Sequence, residues 1–279
     1  RTNAKAAIIF DWDNWWATGY SAGPTVNLKY CDEIFHYYKA FTDLNIAVDI
    51  ISVEDDPAPY SLVVAPLLYM IKPGHDERIR EFVKAGGRFV TTFFSGYVDD
   101  HDLVTVGGYP GRLRDILGIW VEEEDALPED AHNSFTWQGT SYPAMLLCDL
   151  LHTEGAEVLS TYEHDFYAGM PVLTRNHFGQ GYAYYVATRS NAAFYRRLAG
   201  DLCAEAGIAP IMRTEEHIEV TERTNGNGTF LFLLNHDTQN HTVTLNRAGV
   251  DILTDRAYQT GDDLNLAAKD VAIIHLTAQ

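Results

Sequence analysis

Tyr60–Pro66 (YSLVVAP), His75–Ala85 (HDERIREFVKA), Gly86-Gly87 and Arg88–Phe94 (RFVTTFF) form one uninterrupted strand–helix–strand pattern. The two outer runs are short and apolar, as strands buried on both faces must be. Between them Ile79, Phe82 and Val83 recur at helical spacing and point inward. The glycine pair stops the helix in the way C-cap glycines do. Two strands joined through a helix are the repeating unit of an α/β fold, and the pattern extends both ways from here.

Upstream, Ala6–Asp11 (AAIIFD) reads as a buried parallel strand and Ile46–Val53 as a second strand. Between them Asn27–Asp43 carries Tyr30, Ile34, Tyr37, Tyr38 and Phe41 on one broad helical face. Downstream, Leu113–Leu117 is a short helix and Ile119–Asp125 (IWVEEED) an edge strand whose charges blunt edge pairing. The acidic run Glu122–Asp130 reads as solvated surface. Ser134–Trp137 and Ala156–Tyr162 are strands, and Gly169–His177 and Gly181–Thr188 form a hairpin around Phe178-Gly179-Gln180. Asn191–Ala206 is helical and Ile208-Ala209-Pro210 a linker. This succession predicts an α/β domain over 1–209 with an open, mostly parallel sheet and helices on both faces. From Met212 the helix pattern vanishes. His217–Arg223, Thr229–Asn235, Thr242–Leu245, Val250–Leu253 and Val271–Leu276 are short strands, with Asn225-Gly226-Asn227-Gly228 as a hairpin turn. Residues 210–279 are therefore expected to be a small antiparallel β-sandwich.

The 279 residues are 46% hydrophobic, and 20 Lys and Arg against 39 Asp and Glu leave a net charge of −19. Such a chain repels phosphate backbones and anionic membrane surfaces, so neither nucleic acid nor membrane is an expected partner. No apolar stretch reaches the ~18 residues of a membrane-spanning helix. Cys31, Cys148 and Cys203 are scattered and odd in number, with no CxxC pair. They suggest neither a disulfide framework nor a zinc site, and fit a reducing, cytoplasmic compartment. Arg1 stands where an initiator Met is expected and no signal peptide follows, so the sequence reads as processed or as a piece of a longer chain.

In such a fold ligands sit at the carboxyl ends of the strands. Asp11–Asn14, Pro66–Tyr69 and Ser95–Asp102 are expected to converge there. The last, SGYVDDHD, offers Ser95 as nucleophile, His101 as base and Asp99 or Asp102 as orienter. It lacks the G-x-S-x-G elbow, and triad members normally converge from separate elements. The competing reading is a polar loop in which Asp99 and Asp102 cap turns. DWDNWW brings Trp12, Trp15 and Trp16 within five residues. They can line a sugar-binding surface, meet a neighbouring subunit, or pack locally over the sheet end. Asp11 and Asp13 lack companion carboxylates for a cation. Without a GxGxxG or Walker loop, nucleotide binding has no phosphate cradle, and flavin binding rests on fold analogy alone.

Gly107-Gly108-Tyr109-Pro110-Gly111 is a rigid turn. It places Arg112 and Arg114 in a helix's first turn, where cations are disfavoured unless carboxylates pair with them, in this chain or across an interface. His132, His152, His164 and His177 lack metal-ligand spacing. Glu122–Asp125 and Glu54–Asp56 do not form the separated carboxylate pair that glycoside cleavage needs. No catalytic residue, metal or cofactor is expected.

AIIFDWDNWW, NLKYCDEIFHYYKAF, NIAVDIISVEDD, YSLVVAPLLYMI, FVKAGGRFVTTFFSGYVDDHD and GGYPGRLRDILGIWVEEEDALPED occur in this order, followed by GQGYAYYVATRSNAAFYRRL and FLFLLNHD. Over essentially the whole chain they resemble the carboxyl-terminal half of a bacterial β-galactosidase of glycoside hydrolase family 42. The resemblance implies a flavodoxin-like, glutamine-amidotransferase-like trimerisation domain over 1–209 and a terminal β-domain over 210–279. It also implies a homotrimeric parent that cleaves terminal β-galactosides with two glutamates of an amino-terminal barrel. A barrel needs about 250 residues, which this chain does not hold, so no catalytic residue carries over. The cysteine nucleophile of amidotransferase-like folds is also missing, because the strand ends in Phe93-Phe94-Ser95. The resemblance makes Trp12, Trp15, Trp16, Tyr97, Tyr109, Arg112 and Arg114 candidates for a subunit interface or active-site rim. The alternatives are a stand-alone carbohydrate-binding protein and a hydrolase using the Ser95, His101 and Asp99 loop.

Overall fold

Ala6–Ile9 forms the first strand, β1, and all four of its side chains are buried. The computed structural model describes residues 1–21 and 23–277. After β1 come α1 (Trp12–Tyr20), α2 (Tyr30–Thr42), β2 (Val48–Ile51), β3 (Leu62–Ala65), α3 (His75–Lys84) and β4 (Arg88–Thr92). A 3₁₀ turn over Gly111–Leu113 leads into α4 (Arg114–Leu117), β5 (Ile119–Ala126), β6 (Asn133–Trp137) and β7 (Thr140–Thr153). Then follow β8 (Glu157–Thr161), β9 (Pro171–Phe178), β10 (Gly181–Val186), β11 (Thr188–Arg189) and α5 (Ala192–Glu205).

The main sheet has seven strands in the order β2-β1-β3-β4-β10-β9-β8. β2, β1, β3, β4 and β10 run parallel, and β9 and β8 close one side antiparallel. The chain moves one way from β1 to β2 and the other way from β3 to β4, so right-handed crossovers put α2 and α3 on opposite faces. The α/β reading thus holds for the repeated units. The helical face of α2 is narrower than the pattern suggested: Tyr30, Ile34, Tyr37 and Phe41 are buried, whereas Tyr38 is exposed.

Within residues 1–209 two elements have no counterpart in the sequence reading, and after Met212 the strands Ala257–Tyr258 and Asp263–Leu266 have none either. α1 begins inside DWDNWW because Asp11 caps it, its carboxylate accepting from the Asn14 amide. β7 is a long strand whose run Ala144–Leu151 is too continuously apolar for periodicity to separate strand from helix. It bends at Leu146, which has a positive φ of 68°. One half pairs with β6, the other with β5 and β11, making a second, antiparallel layer. β5 lies at the edge of that layer, as its charges predicted.

The remaining strands are β12 (Ile218–Asn225), β13 (Gly228–Asn235), β14 (His241–Thr244), β15 (Gly249–Asp251), β16 (Ala257–Tyr258), β17 (Asp263–Leu266) and β18 (Val271–Leu276). They form an antiparallel five-stranded sheet, β12-β13-β18-β15-β16, and the pair β14-β17. Val220, Leu231, Leu233, Val243, Leu264, Leu266 and Ile274 share one hydrophobic cluster, separate from that of the α/β part.

Asn45 joins the two. It follows α2 with a φ of 53° and is buried. Its Nδ2 donates to the Met212 carbonyl (3.2 Å) and Thr214 Oγ1 (2.7 Å), and its Oδ1 accepts from the Val220 amide (2.8 Å). Its own carbonyl accepts from the Ile211 amide at 2.9 Å. Asparagine tolerates the left-handed conformation better than other non-glycine residues. Asn45→Ala strands the buried Val220 N–H and strains residue 45, and should cost roughly 2–4 kcal/mol. Urea denaturation monitored on the β12–β18 region measures this; a loss under about 0.5 kcal/mol, the range of neutral surface substitutions, would show that Asn45 is not the joint.

Candidate functional site

The order of the strands reverses between β1 and β3, and at such a point an open α/β sheet normally leaves a ligand crevice. Here side chains fill it. Asn14 is fully buried. Its Oδ1 accepts from the Met70 amide (2.7 Å), and its Nδ2 donates to Asp11 Oδ2 (2.6 Å) and to the Met70 carbonyl (3.4 Å). Lys72 completes the group, bonding Asp11 Oδ1 at 3.3 Å and also Asp13. The Tyr30 hydroxyl accepts from the Asp11 amide, and burial pushes that phenol well up. The two carboxylates DWDNWW offered for a cation are therefore held by a lysine. A 560 Å³ cleft lined by Asp56, Tyr60, Arg78 and Phe82 opens beyond the amino ends of β3 and β4, away from this edge.

The tryptophans ride on the outside of this group. Trp12, Trp15 and Trp16 are 56%, 38% and 54% exposed, so they are not absorbed into the chain's own core. They lean on one another and on Phe10, with ring centroids 5.2 Å apart for Phe10–Trp12 and 5.3 Å for Trp12–Trp15. Tyr20, at the end of the same helix, is also exposed. A continuous aromatic surface of this kind marks an interaction site.

Beside it, the loop after β4 builds an aromatic ladder. Tyr69 stacks on Phe94 (4.9 Å), Phe94 meets Tyr97 (4.7 Å), and Tyr97 stacks on Tyr109 at 3.8 Å with the rings 10° apart. Gly96 permits this: it has a φ of 67°, and a Cβ there would land on the Pro110 carbonyl. Phe94 itself takes a φ of 59° where the strand turns out of the sheet.

Ser95, His101 and Asp99 do not assemble. Ser95 is buried, accepts from the Leu68 amide (3.0 Å) and shares a hydrogen bond with Thr91 Oγ1 (2.8 Å). His101 is exposed and pairs through Nδ1 with Asp100 at 3.1 Å. Asp99 accepts from the amides of His101 (2.9 Å) and Leu103 (3.1 Å), which is the turn-capping role. Asp102 accepts from the Tyr69 hydroxyl at 3.1 Å. Asp99, Asp100 and His101 are the only trio of metal-ligand type found together among the described residues, and their polar atoms already bond one another and the loop.

The arginines find their carboxylates within the chain. Arg114 makes a two-pronged pair with Glu154 (2.6 and 2.5 Å), donates to the Gly107 carbonyl and lies over Trp120. Arg112 is half-exposed, and its contact with Asp76 is a long 3.7 Å.

The acidic run after β5 begins is not all solvated surface. Glu122 pairs with His152 at 2.6 Å, but Glu124 faces Asp149 across the strand pair, and Asp125 accepts from the Tyr167 hydroxyl at 2.9 Å. Burial, and then the charge of Asp149, push the Glu124 carboxyl up to about 9. Burial pushes Asp149 up to about 7, against hydrogen bonds from Tyr185 and the Phe94 amide that favour its charged form. Sequence reasoning passed over Asp149. Its one signal was a lone acid inside the apolar run AMLLCDLL.

Comparison with known proteins accounts for both parts of the chain. Residues 4–209 match the family model described as the beta-galactosidase trimerisation domain, and residues 217–276 that of the beta-galactosidase C-terminal domain. Beta-galactosidase BgaA of Planococcus sp. (strain SOS Orange) is 47% identical over 98% of this chain and 41% of its own length. Beta-galactosidase bgaB of Geobacillus kaustophilus is 39% identical over the same shares. The crystal structure of the Bacillus circulans sp. alkalophilus beta-galactosidase superposes with a TM-score of 0.95 at 44% identity, over 99% of this chain and 42% of that one. The chain thus spans about two fifths of the length of the relatives it matches. The chain belongs to the glycoside hydrolase family 42 β-galactosidases, as their trimerisation and C-terminal domains.

Proposed function

We propose that these residues are the non-catalytic assembly region of an enzyme that hydrolyses terminal β-D-galactosides, and that the exposed Trp12, Trp15 and Trp16 surface is where copies of the chain meet in a homotrimer. The observation that carries this is an uncovered aromatic patch on the part of the chain matched by a trimerisation-domain family. Tryptophan gains most when buried at the centre of an interface, and three of them in water are costly to leave open. Tyr97 and Tyr109 form the adjoining rim, and Arg112, with only a distant partner of its own, is free to meet a neighbour's carboxylate. Arg114 acts indirectly, by holding the Gly107 turn that presents Tyr109.

The α/β part fits a flavodoxin-like, amidotransferase-like fold, because β2-β1-β3-β4-β10 follows the 2-1-3-4-5 order of that class. We place the domain boundary at 209/210, between Ile208, packed on the first cluster, and Ile211, packed on the second. The terminal domain extends to 279, and its Ala278 and Gln279 lie outside the described residues. Three free cysteines fit a cytoplasmic setting. No described helix is long and apolar enough to cross a membrane.

Sedimentation velocity of the 279-residue chain tests the assembly reading. Wild type should sediment as a trimer, and Trp12→Ala/Trp16→Ala should shift it to monomer with an unchanged circular dichroism spectrum. A wild-type monomer, or a trimer indifferent to the double substitution, would remove the patch from the interface. The same exposed rings also suit a sugar, so galactose should leave tryptophan emission flat if the patch serves assembly. A saturable shift would favour the carbohydrate-binding reading instead.

Catalysis is assigned to residues outside this chain. Alone it should not turn over a chromogenic β-galactoside, and activity that co-purifies with it and survives repeated purification would overturn that assignment. Ser95→Ala leaves the buried Leu68 N–H without a partner and should cost about 1–3 kcal/mol in urea unfolding. It should abolish no esterase or amidase activity; loss of such an activity would revive the loop-hydrolase reading.

A further inference from the structure

Glu124 on β5 and Asp149 on β7 are direct cross-strand partners. Asp149 is 1% exposed. One of its oxygens, Oδ2, accepts from the Tyr185 hydroxyl at 2.5 Å and from the Phe94 amide at 3.4 Å. The other, Oδ1, is buried and has no hydrogen-bond partner among the described residues. The titratable groups around the pair are Tyr185 on β10, Tyr97 in the loop after β4, Asp125 on β5, Cys148 on β7, Tyr162 after β8, and Tyr167. All are neutral or acidic, and no lysine, arginine or histidine pairs with either carboxyl among the described residues.

Two ionised carboxylates directly opposite each other on adjacent strands repel, and burial without a cation multiplies the cost. Two buried carboxyls at directly opposed strand positions, with no cation paired to either, do not both ionise readily, so one keeps a proton. A proton on Glu124 leaves one of the two carboxyls neutral and removes that repulsion.

We propose that Glu124 and Asp149 hold one proton between them at neutral pH, and that its loss opens the β5–β7 seam and loosens the Phe94–Tyr97–Tyr109 ladder that rests on it. The route is short. Asp149 receives the Phe94 amide, Phe94 packs on Tyr97, and Tyr97 stacks on Tyr109. The aromatic edge of the sheet is thereby tied to pH through one buried proton, whatever that edge contacts.

The sign follows from linkage. Both carboxyls are held above their ordinary range, Glu124 near 9 and Asp149 near 7. The folded chain therefore keeps a proton that the unfolded chain has already released. The stabilisation is full below the ordinary carboxylate range and is lost as pH rises toward about 9.

Urea unfolding of the 279-residue chain across this range is the test. In wild type the folding constant should fall by about tenfold per pH unit for the one proton between about pH 7 and about pH 9, with the tyrosine near-UV circular dichroism changing over the same interval. Glu124→Gln has no proton to lose, so its folding constant should be flat over that interval. Parallel curves for the two proteins would overturn the proposal. If Glu124→Gln fails to fold, infrared spectroscopy of wild type decides. A protonated-carboxyl C=O band at neutral pH, lost on alkaline titration with a midpoint near that of unfolding, is expected; its absence would equally overturn the proposal. Asp149→Asn is the second variant: burial still raises Glu124 but the neighbouring charge is gone, so the alkaline limb should move to lower pH; an unmoved limb would overturn the coupling.

Discussion

A parallel sheet must be covered on both faces, and this constraint organises the molecule. β1 and β3 are buried at every position, and β4 and β10 at nearly every one. With no polar face along the strands, the polar groups of the α/β part collect where the strands end. There each must find a partner, because a buried donor or acceptor left alone costs about 1–3 kcal/mol. Thr91 gives its hydroxyl hydrogen to the Ala65 carbonyl, the Thr92 hydroxyl receives the Leu67 amide, Ser95 receives that of Leu68, and Asn14 takes both ends of the Met70 peptide. What resembles a catalytic loop in the sequence is largely this satisfaction of backbone groups at a sheet edge.

The same constraint shapes what the edge can do. The crevice at the point where the strand order reverses is occupied by Asn14 and the Lys72–Asp11 pair, so an α/β scaffold of a kind that elsewhere cradles ligands here carries a plugged edge. The aromatic residues that cannot enter the plug stand outside it, as the exposed tryptophans of α1 and the stacked rings of Tyr97 and Tyr109. A scaffold with its crevice filled and its rim aromatic is better suited to contact than to chemistry, in keeping with membership of a trimerisation family. Satisfaction is not complete: Asp149 Oδ1, like Tyr37 Oη, His75 Nδ1, Asp76 Oδ1 and Thr174 Oγ1, has no partner among the described residues, and Asp149 is tied to that rim through the Phe94 amide.

The two hydrophobic cores are bridged rather than fused. Asn45 reaches across with its side-chain amide and main-chain carbonyl, bonding to four residues between Ile211 and Val220. A hydrogen-bonded joint fixes orientation through geometry, where an apolar contact of the same size tolerates sliding. The β12–β18 region is thereby held at a defined place on the end of α2.

Much of this was legible in one dimension. The strand–helix–strand rhythm from Ala6 to Phe94, the hairpin around Gly179-Gln180 and the change to short strands after Met212 are local patterns, set by the period of apolar residues and by turn chemistry. The order of the phrases along the chain was enough to suggest the family. Local pattern failed at α1, where a run of tryptophans hides a capped helix, and at β7, whose continuous apolarity erases periodicity. It failed again at Glu124, where a run of four acids conceals one that turns inward. Sequence alone determined the kinds of element and their order, because those depend on neighbours along the chain. Only the tertiary structure decided that Ser95 is buried and away from an exposed His101, that Arg114 answers Glu154 within the chain, and that Glu124 meets Asp149. Those outcomes depend on strand register and burial, and register brings together residues that no spacing in the sequence connects.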